Sequence, residues 1–222
     1  MTSADVTILL DLDGTLVDSR PGIVASLHAA LRALGHEPDP ALDLTFAIGP
    51  PIAEAVTLLL RRYGDDRVPM GVAAYRAHYG AAGILDSRVY PGIAEALTAL
   101  RSVGKVCVAT SKRTDFAHAM LQRLALADAV TGVYGTEPSG ALDRKDALIA
   151  HVLASESIRP EHAVMIGDRR EDIAGAHANH VRAVGVLWGY GSRAELLEAG
   201  ADVLAPEPHD LTAVVLRLLV DR

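Results

Sequence analysis

The chain has 222 residues, half of them hydrophobic and 22% charged, with a formal net charge of −7. That composition suits one sizeable globular core, or a core with a smaller attached domain, and excludes a disordered chain. The acidic balance argues against a dedicated nucleic-acid binder, whose phosphate contacts need a basic face. One cysteine, Cys107, rules out an internal disulfide framework and a cysteine-based zinc site.

The start, MTSADVTILLDLDG, lacks the basic and long apolar regions of a secretory signal, and no apolar run reaches the length that spans a bilayer. The expectation is a cytoplasmic protein with no membrane or nucleic-acid partner. The first apolar run, VTILL (6–10), reads as a strand and stops at Asp11 and Asp13. From Thr15 to Tyr90 no convincing strand follows. There are helical stretches at 22–35, 51–64 and 71–83, and Gly35 is expected to cap the first. Tyr90-Pro91-Gly92 marks the return. Helices at 93–104, 114–126, 145–155 and 171–180 then alternate with strands at 105–110, 129–135, 163–168, 182–189 and, more weakly, 202–205. Gly104 is expected to be a second helix cap. The strands are short and continuously apolar, as in a parallel sheet covered on both faces. The predicted fold is α/β. The core covers 1–15 and 90–222, and a helical insertion covers 16–89.

Ligands of open parallel sheets bind at the carboxyl ends of the strands. Asp11 and Asp13 follow the first strand, Thr110-Ser111-Lys112 the second, and Asp168 the fourth, with Asp172 four residues on; Lys145 opens the helix before that strand. Alone, Asp-x-Asp fits a turn, a metal site, or a nucleophile with its proton shuttle. Carboxylates converging on one rim form a hard-oxygen set suited to Mg²⁺, while a hydroxyl and a lysine can hold phosphoryl oxygens.

With these residues in hand, the chain resembles the haloacid dehalogenase superfamily along its whole length. DLDGTLVDS is similar to the first motif of its phosphatases, VATSK to the second, Lys145 in LDRKDALIAHVL to the third, and GDRREDIAGAHANH to the fourth. The insertion lies where a C1 cap lies, and IGPPIAEAV (48–56) is similar to the cap segment of the phosphoglycolate phosphatase-like branch. The resemblance implies a Rossmann-like core and Mg²⁺-dependent hydrolysis of a small phosphorylated metabolite, phosphoglycolate or a nucleoside monophosphate. It implies Asp11 as nucleophile and Asp13 as proton donor and acceptor. Asp11, Asp168 and the Asp13 carbonyl would hold Mg²⁺, with Asp172 beside them. Thr110 and Lys145 would bind the phosphoryl group, with Ser111 an alternative hydroxyl. Gly14 would give the phosphate room, and the region of Gly49 would touch substrate. A hexose phosphate mutase and a non-catalytic phosphate-binding module are the alternatives. Asp13 argues against dehalogenation, and the lysine-free insertion argues against a phosphonatase. Lys145 departs from the usual GKPxP context.

Several features have plainer readings. Cys107 in VCVA is expected to be a buried, inert thiol. Asp18 and Ser19 are expected to cap the first inserted helix. His177 and His180 have the look of a helix-face pair, and Arg169 and Arg170 of a solvated face or phosphate clamp. Gly189-Tyr190-Gly191 with Ala194 fits GxGxxA, but too little chain follows for a dinucleotide domain. Arg76, His78 and Tyr79 are weaker candidates for substrate contact.

Overall fold

The computed structural model describes residues 6–137, 140 and 142–220; the first five residues of the predicted core segment lie outside them. Two compact units emerge, one of residues 1–17 with 89–222 and the other of residues 18–88. At the crossings, two-residue strands β2 (Val17–Asp18) and β3 (Arg88–Val89) pair with each other.

The first unit holds a six-stranded sheet. In chain order its strands are β1 (Thr7–Leu10), β4 (Lys105–Arg113), β5 (Gly132–Thr136), β6 (Ala163–Gly167), β7 (Arg182–Val186) and β8 (Val203–Ala205). The spatial order is β5-β4-β1-β6-β7-β8, and each pairing is parallel. Six helices accompany it: α4 (Ile93–Val103), α5 (Thr114–Arg123), α6 (Lys145–Ser155), α7 (Arg170–Ala178), α8 (Arg193–Glu198) and α9 (Leu211–Val220). This is the α/β architecture that the alternation of runs predicts, with the Rossmann-like core that the resemblance implies.

Ile8, Leu9, Leu10, Val106, Val108, Val164 and Ile166 are wholly inaccessible. Each such side chain contributes roughly 1.5–3 kcal/mol of burial, so the central strands form a stiff base for whatever follows them. Cys107 lies among them, and burial pushes its thiol up, away from the reactive thiolate. Leu9, Ala109 and Met165 share one core with Leu148, Ile149 and Val152 of α6 and Ile173 of α7.

Gly104 ends α4, but in extended backbone at φ −175°, not left-handed as a capping glycine would be. Its reason is space: a Cβ there would lie 2.4 Å from the Val6 carbonyl oxygen. The second strand also runs three residues further than its apolar core, to Arg113. Its pairing with β5 shifts register between Ala109 and Arg113.

The second unit is helical, with α1 (Arg20–Ala33), α2 (Ile52–Arg61) and α3 (Val68–Ala81). Gly35, at φ +85°, closes α1: its N–H donates to Arg32 O and that of His36 to Leu31 O, a Schellman pair. At the other end Ser19 occupies the N-cap position without a side-chain cap, and the Asp18 carboxylate takes the Arg20 N–H at 3.3 Å. Tyr79 is buried and stacked on Tyr75, and His78 Nδ1 lies 3.0 Å from Ser26 Oγ. Tyr79 thus serves the interior of this unit, whereas His78 is half-buried. No described helix is long and apolar enough to cross a membrane.

Candidate active site

The strand order places β1 between β4 and β6, so the chain crosses to opposite sides of β1 and leaves a crevice at its carboxyl end. Leu10 pairs with Ile166 on one side and Val108 on the other. Asp11, one residue on, donates its N–H to Ile166 O at 2.9 Å. Asp168 follows β6 directly. Carboxylate oxygens of Asp11, Asp168 and Asp172, all buried, lie within 4.8 Å of one another.

Asp172 comes from the first turn of α7, where it also accepts the Arg169 N–H at 3.1 Å. Helix capping and the acidic cluster are therefore served by one side chain. Lys145, the first residue of α6, is buried rather than exposed on its helix turn. Its ammonium donates to Asp11 Oδ1 at 2.8 Å and to the Ala109 carbonyl at 3.0 Å. It also forms an ion pair with Asp172 Oδ1 at 2.7 Å. Packing accounts for this position. α6 lies so close to α7 that a Cβ on Gly175 would be 2.9 Å from Lys145 Cγ, and Asn179 Nδ2 donates to Asp146 O at 2.8 Å.

Asp13 sits apart from the cluster of three. Its Oδ2 is 2.8 Å from Lys112 Nζ, both side chains being nearly buried. Thr110 is buried, with its Oγ1 accepting the Lys112 N–H at 3.2 Å, whereas Ser111 is half-buried. Gly14 is left-handed at φ +91°, and a Cβ there would lie 2.3 Å from Asp168 Oδ2. Its openness therefore makes room for the Asp168 carboxylate, a reason that needs no phosphate. Gly49, at φ +108°, belongs to the helical unit.

Some residues around this site were not singled out from the sequence. Thr15 Oγ1 donates to Asp168 Oδ1 at 3.2 Å, and the Tyr190 N–H donates to Asp168 Oδ2 at 2.8 Å, so each carboxylate oxygen has a fixed donor. Trp188 Nε1 donates to the Thr15 carbonyl at 2.9 Å. The GxGxxA stretch is thus the rear wall of Asp168. A Cβ on Gly189 would lie 2.3 Å from Asp168 Cβ. Arg169 and Arg170 both turn to Glu195, with Nε contacts of 2.9 and 3.7 Å. His177 pairs with Asp202 at 3.0 Å, and His180 lies beyond α7 in left-handed backbone at φ +57°.

The electrostatics follow from this crowding. Burial raises Asp11 to about 7; Lys145 opposes that shift, and Asp172 and Asp13 add to it. Burial, Asp172 and Asp11 push Asp168 well above the usual carboxylate range, against the Tyr190 amide. Burial would lower Lys145, but Asp11 and Asp172 outweigh it and hold the ammonium above its ordinary value. Four carboxylates (Asp11, Asp13, Asp168, Asp172) face two ammonium groups. When all are ionised, two negative charges remain in excess among oxygen-only donors. That set fits a hard divalent cation such as Mg²⁺.

Fold and site define a hydrolase built on a Rossmann-like sheet with an acidic cluster at its switch point. The chain belongs to the haloacid dehalogenase-like hydrolases, whose family model matches residues 8–186. It is 42% identical over 193 residues to a 5′-nucleotidase of Pseudomonas aeruginosa, covering 85% of this chain and 86% of that one. It is 31% identical over 222 residues to a phosphoglycolate phosphatase of Caulobacter vibrioides, covering 96% and 92%. A solved structure of protein tyrosine kinase A (PtkA) from Mycobacterium tuberculosis matches with a TM-score of 0.79 and 34% identity, covering 96% of this chain and 98% of that one. The phosphoglycolate phosphatase-like resemblance holds, and the chain is a phosphatase of this family.

Proposed function

We propose that this phosphatase is a Mg²⁺-dependent phosphomonoesterase working through an aspartyl-phosphate on Asp11, with a small phosphorylated metabolite as substrate. The observation that carries the reading is the buried triad of Asp11, Asp168 and Asp172, bridged by Lys145 through two of its members.

In this reading the Asp11 carboxylate attacks phosphorus, the ester P–O bond breaks, and Asp13 gives a proton to the departing alcohol oxygen. Asp13 then takes a proton from the water that attacks the phosphoryl group, releasing phosphate and restoring Asp11. Lys145, at hydrogen-bond distance from Asp11 Oδ1, steadies the nucleophile and meets the charge that develops beside it. The Thr110 hydroxyl, with Ser111 beside it, holds a phosphoryl oxygen. Asp11, Asp168, Asp172 and the Asp13 carbonyl would hold the cation. Bound Mg²⁺ would supply the positive charge that offsets these carboxylates and draws in the phosphoryl oxygens. Thr15 and the Tyr190 amide keep Asp168 oriented for that role.

The helical unit carries substrate selection as a cap, with Gly49 its candidate contact. A nucleoside 5′-monophosphate leads and phosphoglycolate follows, in line with the names of the two phosphatase relatives. The reading includes a cytoplasmic location. A panel of adenosine 5′-monophosphate, phosphoglycolate, glucose 1-phosphate and p-nitrophenyl phosphate tests it, with Mg²⁺ or with chelator. Phosphate release that needs the cation and favours one alkyl ester supports the reading. Isomer formation from glucose 1-phosphate, or tyrosine phosphorylation with ATP in place of hydrolysis, would replace it.

A further inference from the structure

Asp13 is held by a group that none of the four motif roles uses. Lys112 Nζ lies 2.8 Å from Asp13 Oδ2, with side-chain exposures of 6% and 12%. A lysine this buried is not part of a solvated face, and its location is built rather than incidental. Beyond Ala109 the regular pairing of β4 with β5 lapses and resumes at Arg113. Within that lapse the Thr110 hydroxyl accepts the Lys112 N–H, turning the backbone. The Lys112 carbonyl presses on β5 where a Cβ on Gly135 would be 2.3 Å away. One strand irregularity therefore serves two groups, the buried Thr110 hydroxyl and the Lys112 ammonium that reaches Asp13.

We infer that Lys112 is a positioning residue: its ammonium, held on Asp13 Oδ2, fixes the Asp13 carboxyl so that the other oxygen carries the proton that passes to the departing alcohol oxygen. The inference rests on the proposed role of Asp13. In the step concerned the ester P–O bond breaks, the Asp11–phosphorus bond forms, and the Asp13 proton moves to the alkoxide oxygen. An alkoxide needs that proton as it leaves; a nitrophenolate, far less basic, leaves without it. Loosening Asp13 therefore harms alkyl esters more than aryl esters.

The test is kcat/KM, which reports events up to alcohol release, for p-nitrophenyl phosphate and for the alkyl ester hydrolysed fastest in the panel. In Lys112→Met the alkyl-to-aryl ratio is expected to fall by about 10-fold or more, since a positioned general acid contributes about 10²–10⁴-fold. Lys112→Arg, which retains a cation, is expected to restore most of the ratio. An equal loss on both esters, or no rescue by Lys112→Arg, would overturn the inference by making Lys112 merely structural. Asp13→Asn separates the two levels. If it changes the ratio and Lys112→Met does not, the inference alone fails. If it leaves the ratio unchanged, the proposed role of Asp13 fails with it. Should Lys112→Met not fold, Lys112→Gln set against Lys112→Arg makes the same comparison.

Discussion

Lys145 concentrates the tension of the site at the scale of one residue. Its ammonium is the nearest cation to two buried carboxylates, and its removal would leave them without a counter-charge. Breaking a buried ion pair from one side costs about 3–5 kcal/mol. Lys145→Met is therefore expected to lower stability by that order in metal-free urea unfolding at pH 8. Added Mg²⁺ should recover part of the loss by replacing the missing charge. A variant as stable as the parent would show that Asp11 and Asp172 are already neutral in the folded protein. The Asp residues and Lys145 were legible from position alone, because each follows or opens a recognisable element. Thr15 and Tyr190 were not, since they meet Asp168 only through long-range folding and one acts through its backbone N–H.

Among the elements, the β7–α8 loop supports the site although its sequence has the look of a cofactor fingerprint. Gly189 packs on Asp168 Cβ, and Tyr190 next to it donates to Asp168 Oδ2. Gly189→Ala must push Asp168 or the Gly14 carbonyl, itself 2.5 Å from the added carbon. The expected outcome is weaker cation binding by about 10–100-fold, the range for disturbing groups that orient a ligand, read by isothermal titration with Mg²⁺. Unchanged affinity would mean that Asp168 does not depend on this wall.

Sequence periodicity placed the six core strands and the main helices well, but the shortest strands and the last helix escaped it. β2 and β3 are two residues each and carry no pattern. α9 has no counterpart among the expected helices, although Leu211, Val215 and Leu218 make a helical stripe that is buried. The length of β4 could not be read either, because its last residues are held by a register shift and a threonine hydroxyl rather than by apolar alternation.

The whole molecule carries the cost of the acidic cluster in its stability. Asp11 is raised to about 7 from an ordinary 3.8, and Asp168 shifts in the same direction. Between those values the folded protein binds more protons than the unfolded chain, so stability contributed by these groups falls as pH rises. Lys145, raised above its ordinary value, loses its contribution only at strongly alkaline pH. Metal-free protein is thus expected to have a lower Tm at pH 8 than at pH 6 from this source. Mg²⁺ should raise Tm more at pH 8, because binding needs the ionised carboxylates. An equal Mg²⁺ shift at both pH values would contradict the assignment of the cation to this cluster. Asp11→Asn with Asp168→Asn should flatten the metal-free difference.

Everything proposed for this site requires that Asp11 become phosphorylated during turnover. Wild type and Asp11→Asn, mixed with excess p-nitrophenyl phosphate and Mg²⁺, can be acid-quenched during turnover and digested for mass spectrometry. The wild type is expected to yield a phosphorylated peptide containing Asp11, and the variant neither that adduct nor steady turnover. Sustained turnover by Asp11→Asn, or phosphate carried on another residue of the wild type, would contradict it.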